Sequence, residues 1–132
     1  MTKFDKSKIN DLNEFLYHID SHDAEIMNSK YDIKNGIYYI NLYNPIDNSA
    51  MHFIFYDVKI AMFFKDYNRG LLFGDKEKIY SLSVDEDYSL FKNNPNLNND
   101  YYDDTLYLLF EMFSGDALHI VSKEVSIDIK EI

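Results

Sequence analysis

The sequence predicts an α+β domain that is mostly β: one N-terminal helix followed by an antiparallel curled sheet or small sandwich of about seven strands. Three observations predict it. Apolar residues recur with a helical period only near the start of the chain. Beyond it they follow the two-residue period of strands, punctuated by turn-forming pairs such as Asn35-Gly36 and Gly115-Asp116. The aromatic content, 12 Tyr and 10 Phe with no Trp, suits pleated, half-buried surfaces better than helices.

The helix is set at about residues 6–19. Ile9, Leu12, Phe15, Leu16 and Ile19 fall on one face of a 3.6-residue period. Asp5 or Ser7 can cap its start, because their side-chain oxygens accept backbone N–H groups that have no partner within the helix. Asp20-Ser21 ends it with turn-forming residues.

A β-rich body occupies about residues 24–130. Ala24–Asp32 reads as a strand carried by Ala24, Ile26 and Tyr31. Asn35-Gly36 predicts a two-residue type I′ hairpin turn, since both residues tolerate positive φ. Ile37–Tyr43 is the next strand, and Asn44-Pro45-Ile46-Asp47-Asn48 is a loop. Met51–Phe64 is the most apolar run. Its alternation through Phe53 and Phe55 resumes out of phase at Val58 and Ile60, so a bulge or a bend between two strands is expected at Tyr56-Asp57. A buried helix over Val58–Phe64 competes with that reading.

Tyr67-Asn68-Arg69-Gly70 is a turn, and Ile79–Val84 a short strand. Phe91–Asp104, rich in Asn and Asp, is the least structured stretch, a mobile loop of functional interest or just a long connection. Leu106–Phe113 and Ala117–Ser122 flank Ser114-Gly115-Asp116 as a hairpin, and Val125, Ile127 and Ile129 alternate with polar residues as a final strand. Repeats and linkers are absent from the 132 residues, which read as one domain, 1–132.

Net charge is −10 at pH 7, from 23 Asp and Glu against 13 Lys and Arg. That balance disfavours direct nucleic-acid binding and anionic membrane surfaces, and favours a basic protein partner or a bound cation. No run reaches the roughly 20 apolar residues of a membrane span. The opening Met1-Thr2-Lys3-Phe4-Asp5-Lys6-Ser7 lacks the apolar stretch of a signal peptide, so a cytoplasmic location is expected. The absence of Cys excludes disulfides, thiol catalysis and thiolate zinc sites.

Residue types that carry chemistry are few. His18, Ser21, His22, Asp23 and Glu25 gather at the helix exit, and imidazoles beside carboxylates can bind a divalent metal or exchange protons. His22, Asp23 and His119 would form such a set if the fold brought them together; otherwise they are turn formers and surface imidazoles. His52 sits within a strand and could join them. Two acidic stretches, Asp85-Glu86-Asp87 and Asp100-Tyr101-Tyr102-Asp103-Asp104, are the candidate partner surface. The Tyr rings offer contact area while the carboxylates steer Lys and Arg; the bland alternative is a solvated loop. Asp85, Glu86, Asp87, Tyr101, Tyr102, Asp103 and Asp104 are therefore the expected contact residues. Neither stretch has the Gly and terminal Glu of a calcium loop, and no phosphate loop, G-x-S-x-G or H-E-x-x-H motif occurs. No catalytic residue and no cofactor is expected.

The run His22-Asp23-Ala24-Glu25-Ile26, the Asn35-Gly36 turn and the closing Gly115-Asp116-Ala117-Leu118-His119-Ile120 have a family likeness. The layout resembles small β-rich bacterial immunity-protein-like and uncharacterised families, in which an H-D-A/S-x-I start precedes alternating strands and a G-x-x-L-x-I hairpin closes the chain. The resemblance spans about residues 20–129. One such family carries Trp residues that this chain lacks. The resemblance implies a non-catalytic inhibitor that binds and neutralises a cognate toxin, and it assigns no binding residue. The reading is an acidic intracellular binding protein, an immunity protein or inhibitor of a basic protein such as a toxin nuclease. A phage-type anti-defence DNA mimic and a small-ligand or metal-binding β domain are the alternatives.

Overall fold

The computed structural model describes residues 2–19, 21–65, 78–86, 88 and 104–131. The elements are β1 (Thr2–Asp5), a 3-10 turn (Lys6–Lys8), α1 (Ile9–His18), β2 (Glu25–Asp32), β3 (Ile37–Asn44), β4 (Ser49–Phe64), β5 (Ile79–Val84), β6 (Leu106–Met112) and β7 (Ala117–Glu131). They build one antiparallel sheet in the order β2-β3-β4-β7-β6-β5, with β1 also paired to β7. The sheet curls without closing into a barrel. Its two outer strands touch at one corner, where Ile79 N–H donates to the Ala24 carbonyl at 2.8 Å and Asp23 N–H to the Ile79 carbonyl at 2.9 Å.

Two long neighbours, β4 and β7, organise the sheet, pairing from Ser49↔Glu131 to Phe64↔Ala117. The sequence phase slip at Tyr56-Asp57 is a bend shared by both. Buried residues step by three from Phe55 to Val58, and opposite them from Ser122 to Val125. Asp57 takes a left-handed φ of 52°, and Lys59 is the extra residue of a bulge between Val58 and Ile60. A bent pair changes which parity faces the core, so each strand reads in sequence as two pieces. No helix forms over Val58–Phe64.

The concave face holds the main core. Phe53, Phe55 and Phe110 pack ring to ring, with Phe110 edge-on to Phe53 at 5.6 Å and to Phe55 at 6.2 Å. Ile40, Leu42, Met51, Leu108, Ile120 and Ile127 surround them. Helix α1 lies on this core through Leu12 and Leu16, and Phe15 meets Phe4 of β1 at 5.3 Å. Asp5 caps the helical segment as expected, its Oδ1 accepting the Ser7 N–H at 3.0 Å. Hydrogen bonds from Ser7 hold the Asp5 carboxyl below the usual range. The first turn is 3-10, so α1 begins later than the expected residue 6. Strand β1 was not legible: with four residues, only Phe4 inward, it shows no period and owes its form to the edge of β7.

The Asn35-Gly36 turn also differs from expectation. The β2–β3 loop spans residues 33–36 and only Gly36 has positive φ, 65°. Asp32 draws the loop in: its Oδ1 accepts the Asn35 N–H at 3.3 Å and its Oδ2 the Asn35 amide at 2.8 Å. Those two bonds favour a four-residue connection over the tighter type I′ turn.

Candidate binding surface

The described residues of the two acidic stretches, Asp85, Glu86 and Asp104, lie at the same end of the β5–β6 pair. Asp85 N–H donates to the Tyr107 carbonyl at 2.9 Å, and the Tyr88 hydroxyl donates to the Thr105 carbonyl at 2.6 Å. Asp104, just before β6, is held at a left-handed φ of 58°. Asp87, Tyr101, Tyr102 and Asp103 lie outside the described residues.

Helix α1 extends this acidic end. The Asn13 amide donates to Glu86 Oε1 at 3.0 Å, tying the β5 flank of the helix to the acidic step. The opposite flank carries Asp11 and Glu14 above β1. Between them, Tyr17 is 85% exposed. On the helix surface its neighbours at i−3 and i−4 are Glu14 and Asn13, and its ring meets that of His18 at 5.4 Å. Glu14 also lies 3.9 Å from His18 Nε2. Sequence reasoning passed over Asp11, Glu14 and Tyr17. The available signal was an aromatic residue on the polar side of the helical period that Leu12 and Leu16 define.

A groove of about 360 Å³ opens between β1 and α1, lined by Thr2, Phe4, Asp11, Glu14, Phe15 and His18. Beside it a smaller recess of about 100 Å³ shares Phe4 and is lined by Lys3, Asp5, Lys8 and Glu124. The ammonium of Lys3 is 2.8 Å from Glu124, which raises the Lys3 pKa.

The histidines named in the sequence reading occupy separate places. His22 Nδ1 is 3.3 Å from Asp23 Oδ2, and its ring meets Phe113 at 5.1 Å and Tyr80 at 6.0 Å, at the corner where the sheet edges join. His119 lies on the convex face, hydrogen-bonded to the Tyr107 hydroxyl and edge-on to Phe64 at 5.2 Å. Burial lowers its pKa, opposed by the negative charge of Asp85. Tyr107 is fully buried, and burial, then Asp85, push its hydroxyl upward; burial also raises Tyr88. His52 bonds to Asn41, whose amide in turn bonds to Asn28. Among the described residues no group of three or more His, Asp or Glu gathers to hold a metal.

The helix side of the molecule presents exposed carboxylates, the exposed Tyr17 ring and the aromatic-floored groove. No helix among the described residues is long and apolar enough to cross a membrane. No family model matches the sequence, and none of the curated proteins matches it.

Proposed function

We propose that the protein is a non-catalytic binding protein that captures a basic protein partner through the exposed face of α1 and the adjoining acidic end of β5–β6. Its action is that of an immunity protein or inhibitor, working in the cytoplasm against a basic target such as a toxin nuclease. The observation that carries this reading is Tyr17, 85% exposed and set between Glu14 and the Asn13–Glu86 bond on a chain of net charge −10. Tyr is enriched among the residues that dominate binding energy at protein interfaces. The net charge of −10 and the nearby Glu14 and Glu86 accelerate encounter with a positive surface and disfavour acidic competitors.

The test is capture from host lysate on the immobilised protein, with mass spectrometry of what is retained. The same capture is run with the double variant Tyr17→Ala/Glu86→Gln. A single basic protein is expected, retained at about 0.05 M salt and released near 0.5 M, where screening reaches a few ångströms. Its retention should fall in the variant. Retention indifferent to both salt and variant, or no basic protein retained, would overturn the reading.

A further inference from the structure

The groove between β1 and α1 has two kinds of wall. Its floor is aromatic: Phe4 is 4% exposed and packs at 5.3 Å against Phe15. Its helix side carries Asp11 and Glu14, one helical turn apart, with His18 beyond Glu14. We propose that this groove is an anchor pocket for an arginine side chain of a protein partner, the stem lying on Phe4 and Phe15 and the guanidinium meeting Asp11 and Glu14. The inference rests on the reading of the protein as a binder of basic partners, and it names the side chain that is read.

The chemistry selects the occupant. A wholly apolar group would cover the rings but strip water from two carboxylates without replacing its hydrogen bonds. A bare anion is repelled by both. A long side chain with an apolar stem and a cationic head satisfies floor and wall together. Arginine fits better than lysine, because its planar fork can donate to two carboxylates and also stack on a ring face. The neighbouring recess shows the contrast. It shares Phe4, but Lys3 and Lys8 stand in its lining and Lys3 already engages Glu124 at 2.8 Å. No Lys or Arg is among the described residues lining the larger groove. A partner cation is therefore drawn to the helix side of Phe4.

The experiment is an NMR titration of the isotope-labelled full chain with acetyl-arginine amide. Acetyl-citrulline amide, of the same shape and without charge, is the control probe. The arginine probe should shift the amides of Phe4, Asp11, Glu14 and Phe15, with millimolar affinity and about tenfold preference over citrulline. The double variant Asp11→Asn/Glu14→Gln should erase the preference while leaving the circular dichroism of the chain unchanged. Equal shifts from both probes, shifts elsewhere on the surface, or no shifts would each overturn the pocket. A basic partner that still binds the double variant at wild-type strength would overturn the pocket too, while leaving the proposed function standing. Arginine-specific shifts with no partner found in lysate would uphold the pocket and count against the inhibitor reading alone.

Discussion

Tyr107 and His119 are diagonal neighbours across the β6–β7 pair, Tyr107 opposite Val121 and His119 opposite Leu109, and their side chains hydrogen-bond on the convex face. The phenol is the stronger acid, so with a neutral imidazole it donates to Nδ1 and the ring proton sits on Nε2. Tyr88 covers the pair, its ring 5.5 Å from Tyr107. Burial lowers the His119 pKa, so the folded protein binds a proton there less readily than the unfolded chain. The stabilisation from this site is complete above the unfolded His pKa of about 6.5 and is lost as pH falls from there through the lower folded value. His119→Gln removes that titration. Urea midpoints measured between about pH 7 and pH 5 should fall less steeply in the variant than in the parent chain.

Tyr107→Phe tests the same bond from the other side. The substitution keeps the ring in its fully buried site and removes only the hydroxyl. His119 Nδ1 then loses its partner in a half-buried place. The expected cost is about 1–2 kcal/mol, seen as a lower urea midpoint with an unchanged slope. A stability equal to that of the parent would show that water replaces the phenol at no cost.

These two residues also mark where sequence reading stopped. Alternation assigns Leu106, Leu108 and Phe110 to the core, and they are buried as that pattern requires. It equally assigns Tyr107 to solvent, yet Tyr107 is fully covered, with the Tyr88 ring packed against it at 5.5 Å. Period-2 logic describes a strand and its two faces but carries no information about a side chain from elsewhere, here Tyr88, that covers one. The shared bend at Phe55–Val58 and Ser122–Val125 was visible on β4 as a phase slip, whereas on β7 it looked like the end of one strand and the start of another. Asp85, Glu86 and Asp104 were legible as acidic residues. Their position at one end of the sheet depends on the β5–β6 pairing, and the Asn13–Glu86 bond depends on where α1 lands on the sheet.

On helix α1 a fully buried and a largely exposed residue stand five positions apart, Leu12 and Tyr17. Leu12 is fully buried among the core residues, and Leu12→Ala should cost about 2–5 kcal/mol through lost burial and a cavity. Tyr17 faces outward, and Tyr17→Ala should change stability by no more than about 0.5 kcal/mol. Chemical denaturation of both variants checks the contrast. A large loss on Tyr17→Ala would mean the ring supports the fold, which would remove the reason for reading it as a contact residue.

The bend in β4 is hydrogen-bonded to the β2–β3 loop. Val58 N–H donates to the Gly36 carbonyl at 2.9 Å, next to the left-handed Asp57. Gly36 itself sits at φ 65°, and a Cβ built there would lie 3.7 Å from Val58 N and 3.9 Å from Asp57 Cα. Those distances are ordinary van der Waals contacts, so Gly36→Ala fits sterically and its penalty is conformational. An L-residue held at this φ costs about 1–2 kcal/mol, partly offset by the smaller entropy of the unfolded alanine chain. The expected net loss is therefore about 1 kcal/mol in urea denaturation. If the loop anchors the bend, hydrogen exchange at the Val58 amide should quicken in Gly36→Ala more than exchange at Phe53, which lies on the straight part of the same strand. Equal changes at both amides would mean that the substitution lowers global stability without loosening the bend, and that the Gly36–Val58 bond follows the bend without holding it.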